Sequence, residues 1–178
     1  MSRIPLLPGC LLLALAGTTF AQDLPQPAGN PPARVARLSY LSGNVSYQAW
    51  GDSVWSMATL NYPVTTGDRV YADRGARAEL QVGALAVRLS EGTDLLMTSL
   101  TDQLMQLGIT QGTLRVTVYQ LAPGDSVEVD TPHGALALLA PGEYRVDALS
   151  YKDVMIVTVL RGTLQWTAGG VAQTVQSG

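Results

Sequence analysis

The sequence predicts an all-β domain, a twisted β-solenoid-like roll or sandwich of short strands, preceded by a signal peptide. Three observations carry that expectation. Short runs alternate apolar and polar residues with a period of two, the spacing of a half-buried strand whose successive side chains point to opposite faces. Glycine- and proline-containing pairs cut these runs apart, because proline presets φ and glycine tolerates positive φ. Charged residues make up only 14% of the 178-residue chain, against 18 glycines and 10 prolines, a balance that suits sheet better than helix or disorder.

Residues 1–21 read as an export signal. Arg3 supplies the positive start, Leu11 to Ala16 the apolar middle, and Thr19-Phe20-Ala21 a small-x-small cleavage site before Gln22. An uncleaved membrane anchor fits less well, since Pro5 and Pro8 interrupt the start of a short apolar run. Cys10, the single cysteine, lies inside this segment, so the exported chain would carry no disulfide and no thiol chemistry. The expected location is the periplasm of a Gram-negative envelope, with membrane contact only if the signal stays attached. Residues 22–33 (QDLPQPAGNPPA) lack any apolar period and read as a Pro-rich, flexible linker. The domain is expected over 34–178.

Within it, Arg34 to Tyr40 alternates, Ser42-Gly43-Asn44 turns the chain, and Val45 to Gln48 forms the next strand. Gly51-Asp52-Ser53 is a turn, and Met57 to Pro63 an irregular crossing before the Gly67-Asp68 turn. Arg69–Tyr71, Arg77–Val82 and Leu85–Leu89 read as three strands, the second with Ala78, Leu80 and Val82 inward. Leu96, Leu100, Leu104 and Leu107 sit near helical spacing, but the threonines around them favour strands about a Thr98–Asp102 turn. Leu114/Val116/Val118, Val127/Val129 and Tyr144/Val146 define the inner faces of three further strands, with turns at Pro123-Gly124 and Pro141-Gly142. Val154 to Leu160 is apolar on both faces and therefore reads as a central, doubly covered strand. Leu164–Thr167 and Val171–Val175 close the chain. A Gly, small polar, aliphatic, polar, large apolar pattern recurs from Gly43, Gly112 and Gly162, at spacings too irregular for a strict repeat.

The residues for chemistry are few. The single histidine, His133, lies between Pro132 and Gly134, where an exposed turn residue is expected and no second His or Cys can join it at a metal. Lys152 sits in a hairpin turn that offers no dry pocket. Asp125, Glu128 and Asp130 are close in sequence but lack the spacing of a calcium loop, and no glycine-rich phosphate loop opens a helix. A net charge of −3 gives no grip on phosphate backbones, so nucleic acid is not an expected partner. The reading is therefore of a protein that is no enzyme and takes no cofactor. The aromatic residues of the first half are the remaining lead. Trp55 and some tyrosines are expected to anchor the core; Tyr47 and Trp50 are the candidate partner-binding residues, as an exposed platform for a protein edge or a glycan.

An ordered series of short matches spans Val35 to Thr167. It comprises Gly43-x-Val45, Trp55 followed by Ala58, Pro63-Val64 before Gly67-Asp68-Arg69-Val70, and Ala76 to Leu80 with Arg88-Leu89. It continues with Gln106-Leu107, Gly112-x-Leu114-x-Val116-x-Val118, Val127-x-Val129-x-Thr131-Pro132 and Val157-x-Val159-x-x-Gly162-x-Leu164. In these residues the chain resembles the FecR-domain family of bacterial envelope proteins. The resemblance implies an all-β, solenoid-like periplasmic module that binds a protein partner without catalysis. That partner would be an outer-membrane receptor or another periplasmic protein, with a link to envelope sensing or transmembrane signalling. The alternative expectation is a cell-wall or polysaccharide-binding module built on Tyr47 and Trp50.

Overall fold

Alternation becomes architecture through a chain that passes repeatedly between two sheets. The computed structural model describes residues 34–178; the expected signal peptide and linker lie outside them. Strand accounts for 63% and helix for 2%, which makes the protein all-β. The strands are β1 (Ala36–Ser42), β2 (Val45–Gln48), β3 (Ser56–Met57), β4 (Pro63–Val64), β5 (Arg69–Ala72), β6 (Arg77–Val82), β7 (Leu85–Leu89), β8 (Thr93–Leu100), β9 (Leu104–Val118), β10 (Ser126–Thr131), β11 (Gly134–Leu138), β12 (Gly142–Leu149), β13 (Val154–Arg161), β14 (Thr163–Ala168) and β15 (Val171–Gln176). One sheet has the order β4-β1-β6-β7-β9-β12-β13, the other β3-β2-β5-β8-β9-β10-β11-β14-β15. Every pairing is antiparallel except β9 with β10.

β9 belongs to both sheets. Its first half pairs with β8 and β10, and from Gly112 onward it pairs with β7 and β12. Gly112 sits at φ 94° where the strand changes sheet, and a side chain there would collide with the Thr93 backbone. Gly162, at φ 98°, occupies the corresponding corner between β13 and β14, closed against the Tyr144 ring. Gly43 turns β1 into β2 in the same way. The recurring glycine pattern thus marks the places where the chain crosses between layers, each needing positive φ in a crowded corner.

The inner faces of both sheets meet in one hydrophobic core. Leu38, Leu80, Val87, Leu114, Val116 and Val146 come from the first sheet, and Val70, Leu95, Met97, Leu107, Val129, Leu136 and Leu164 from the second. Each fully buried Leu or Val removes enough apolar surface from water to be worth about 1.5–3 kcal/mol. Tyr144 is the largest fully buried side chain. Its hydroxyl donates to the Ala140 carbonyl at 2.6 Å and accepts from the Thr163 N–H at 3.2 Å, so the phenol is satisfied inside the core.

Several local expectations differ from the structure. The turn after β8 falls at residues 101–103, later than Thr98–Asp102. The Leu100 N–H is held by Thr66 Oγ1 at 2.8 Å, and Thr101 Oγ1 accepts from the Leu104 N–H at 3.0 Å, which prolongs the strand and moves the turn. Gly142 already lies in β12; its missing side chain is required by the close approach of the Arg161 carbonyl, not by a left-handed turn. The largest correction concerns β13. It pairs with β12 alone, so it is an edge strand and not a central one.

Candidate protein-interaction surface

Tyr47 and Trp50 are placed by different forces. Tyr47 lies on β2, half-buried, with its ring centroid 3.9 Å from that of Tyr62 and packed against the core. Trp50 lies in the following turn and is 79% exposed. Its indole rests on Gly67, where an added Cβ would come within 2.7 Å of the ring. The buried Asp68 carboxylate fixes that turn by accepting from the backbone N–H groups of Trp50 and Thr65, both at 2.8 Å, and from the Thr65 hydroxyl at 3.1 Å. The Gly67-Asp68 turn of the sequence is therefore the support on which Trp50 is displayed. Tyr47 contributes mainly to packing.

Trp55 is not a core anchor. It is 38% exposed, beneath the Arg69 guanidinium at 5.4 Å from the ring centroid and edge-on to Tyr71 at 6.3 Å. Arg69 is in turn ion-paired with Asp94. The aromatic role in the core falls to Tyr144 instead.

The outer face of the first sheet carries a feature that single strands do not reveal. Cross-strand register places Tyr40 opposite Glu79, Glu79 opposite Arg88, Arg88 opposite Arg115, and Arg115 opposite Arg145. Three arginines in adjacent register would repel. Each meets a carboxylate: Arg88 meets Glu79 at 2.7 Å, Arg145 meets Asp147 at 2.7 Å, and Arg115 meets Glu143 at 2.9 Å, the last shared with Arg161 at 3.3 Å. Asp147 is held below its ordinary pKa by the Arg145 hydrogen bonds, against burial that opposes this, with help from the Thr113 hydroxyl. The arginine side chains remain 42%, 41% and 43% exposed, so their outer N–H groups stay reachable. Arg77 joins them at a groove of about 420 Å³ that also takes in Tyr40, Ser90 and Thr113. Within this groove and its paired acids, four guanidinium groups face three carboxylates, leaving one net positive charge. Such a polar, cation-edged surface suits carboxylate or amide groups of a partner, through the fork geometry of arginine.

The residues considered for chemistry do not converge. His133 sits in the β10–β11 turn, its Nε2 3.4 Å from Asp153 and its carbonyl accepting from Trp166 Nε1 at 3.2 Å. Asp130 accepts from the Gln106 amide at 2.8 Å, and Asp125 closes its own turn through the Ala122 N–H at 3.2 Å. Among the described residues no three His, Cys, Asp or Glu side chains come together as a metal set.

No protein-family model and no curated protein matches this chain. Two solved structures of a protein described as a "putative anti-sigma factor" from Parabacteroides distasonis share its fold, each with a TM-score of 0.54. Their identity to this chain is 17% and 18%, over 61% of this chain and 51% of theirs. The chain thus spans about half the length of that protein, and the likeness shows the fold.

Proposed function

We propose that this protein is a non-catalytic, FecR-type module of the bacterial envelope that binds a protein partner in a signalling or sensing assembly. The observation that carries the reading is the arginine row of the first sheet. It combines reachable bidentate donors with fixed counter-charges on a rigid, fully paired stretch of sheet, and interfaces are enriched in such arginines. The FecR resemblance of the sequence and the fold shared with an anti-sigma factor structure point the same way. The partner is an outer-membrane receptor or a second periplasmic protein that offers acidic or amide groups to Arg88, Arg115 and Arg145.

The test is site-specific photo-crosslinking from Tyr40, at the groove margin, in cells producing the protein. One discrete adduct is expected, lost when Arg115 is replaced by Glu and absent when the crosslinker is moved to Thr174, on β15 of the other sheet and outside the apolar slot beside Gln173. Equal adducts from both positions, or none, would overturn the reading. The exposure of Trp50 supports a second reading, polysaccharide binding. Retention on peptidoglycan that falls at least about tenfold in Trp50→Ala, with Arg115→Glu unaffected, would favour it over the protein partner, because exposed aromatic anchors carry such contacts.

A further inference from the structure

The four sheet edges of this molecule are not built alike. Free edge strands invite pairing with other chains, and soluble proteins protect them by brevity, proline, charge or polar faces. β3 and β4 are two residues long, and β4 begins with Pro63. β15 carries Gln173, Thr174 and Gln176. β13 has none of these protections over Val154-Met155-Ile156-Val157-Thr158-Val159, and only at Leu160, where its register with β12 shifts, is the edge irregular. Seven residues without a charge, five of them β-branched, lie on an edge whose second side has no strand among the described residues. Val154, Ile156 and Leu160 are 43%, 48% and 43% exposed on the outer face. On the inner face Met155 and Val157 border an apolar slot of about 250 Å³, with Leu164, Trp166 and Val175 opposite.

The charges flanking this strand decide what covers it. Asp153 precedes β13 and Arg161 ends it. If a second copy pairs antiparallel about a two-fold axis through Val157, Asp153 of each copy, a left-handed turn residue just before the strand, comes to the end of the other copy that carries Arg161. Val154 then meets Leu160, Met155 meets Val159, and Ile156 meets Thr158. Inner residues stay with inner ones, so the slot-lining side chains of both copies join. Shifting the register by one residue would put inner against outer faces. The two-fold registers centred on Ile156 or Thr158 would set Asp153 against Val159, or Arg161 against Met155. Both charged groups are accessible, Asp153 being 91% and Arg161 73% exposed at the side chain, and each has one partner within the chain, His133 at 3.4 Å and Glu143 at 3.3 Å.

We propose that this protein forms a two-fold dimer through antiparallel β13–β13 pairing centred on Val157, which continues the first sheet across both copies and closes the apolar slot. The proposal does not depend on the arginine-row reading: the two touch only at Glu143, which pairs with both Arg115 and Arg161, and Val157 lies outside that contact.

Sedimentation of the purified chain over about a hundredfold concentration range should show a monomer–dimer equilibrium, because mass action reveals reversible association. Val157→Lys should abolish the dimer. Asp153→Arg and Arg161→Asp, each alone, should raise its dissociation constant roughly tenfold by setting like charges opposite one another at both ends. The double exchange should restore it, which pairing with a different protein or unspecific aggregation would not do. In a Cys10→Ser background, Val157→Cys should give a disulfide-linked dimer, since directly opposed residues lie about 4.5–5.5 Å apart between Cα atoms. Ile156→Cys should not, since its two copies are diagonal at about 7–8 Å. A monomer at every concentration, a dimer indifferent to Val157→Lys, a double exchange that fails to restore, or equal linkage at 156 and 157 would each overturn the proposal.

Discussion

At the scale of single residues, stability concentrates where a polar group has been taken into the core with its partners. Tyr144 is fully buried, its hydroxyl joining the Ala140 carbonyl to the Thr163 N–H. Burial raises its pKa against these two hydrogen bonds, so the phenol stays neutral at any ordinary pH. Tyr144→Phe keeps the ring and removes the bridge, leaving two backbone groups unpaired. Urea denaturation should show a loss of about 1–3 kcal/mol; a loss within error would mean that water replaces the hydroxyl. Asp147 gives a test with a sign. Its carboxyl has a folded pKa below the ordinary 3.8, so its ion pair stabilises the fold fully above about pH 5 and is lost as pH falls through the depressed value. Asp147→Asn should therefore cost about 1 kcal/mol at pH 7, and the gap between it and the parent should narrow at pH 3. A gap independent of pH would assign the cost to packing.

At the scale of elements, the glycine corners set how strands pass between sheets. Gly112→Ala asks an alanine to take φ 94° in contact with the Thr93 backbone, and should cost about 3 kcal/mol or more. Gly75→Ala, also at positive φ (76°) but facing open space, should cost only about 1 kcal/mol. Chemical denaturation of the two variants side by side checks the difference, and equal losses would show that φ alone governs the corner. The same scale shows what a sequence can disclose. β6 and β7 are legible to their end residues: β6 alternates cleanly, leaving one choice of inner face, and Gly83 sets the turn that separates it from the apolar run of β7. β13 is not, because an apolar strand reports that both faces avoid water without saying whether its edge has a neighbour. The arginine row is illegible for a related reason. Arg115 and Arg145 alternate with the inner residues of their own strands, but only long-range register, set by the β7–β9 and β9–β12 pairings, lines them up with Arg88. Trp55 misleads in the opposite direction. A large aromatic signals core by default, and here a cation and a neighbouring tyrosine hold it on the surface.

At the scale of the whole molecule, the two sheets cannot come apart without breaking β9, which supplies strands to both, and without opening a core to which both contribute. This differs from a strict solenoid, in which each rung contacts only its neighbours and the ends can unravel independently. The tryptophans allow the two cases to be distinguished. Trp50 and Trp55 report on the N-terminal part of the second sheet, near β2 and β5, and Trp166 on β14 near its other end. With Trp166→Phe as one reporter variant and Trp50→Phe/Trp55→Phe as the other, denaturation should give coincident midpoints and slopes by fluorescence and by far-ultraviolet circular dichroism, as a two-state domain requires. Solenoid-like fraying would instead separate the midpoints of the two reporters, since β2 and β14 each lie three strands from β9, towards opposite ends of that sheet. Separated midpoints would show that β9 does not transmit cooperativity, and the reporter with the lower midpoint would locate the weaker end of the second sheet.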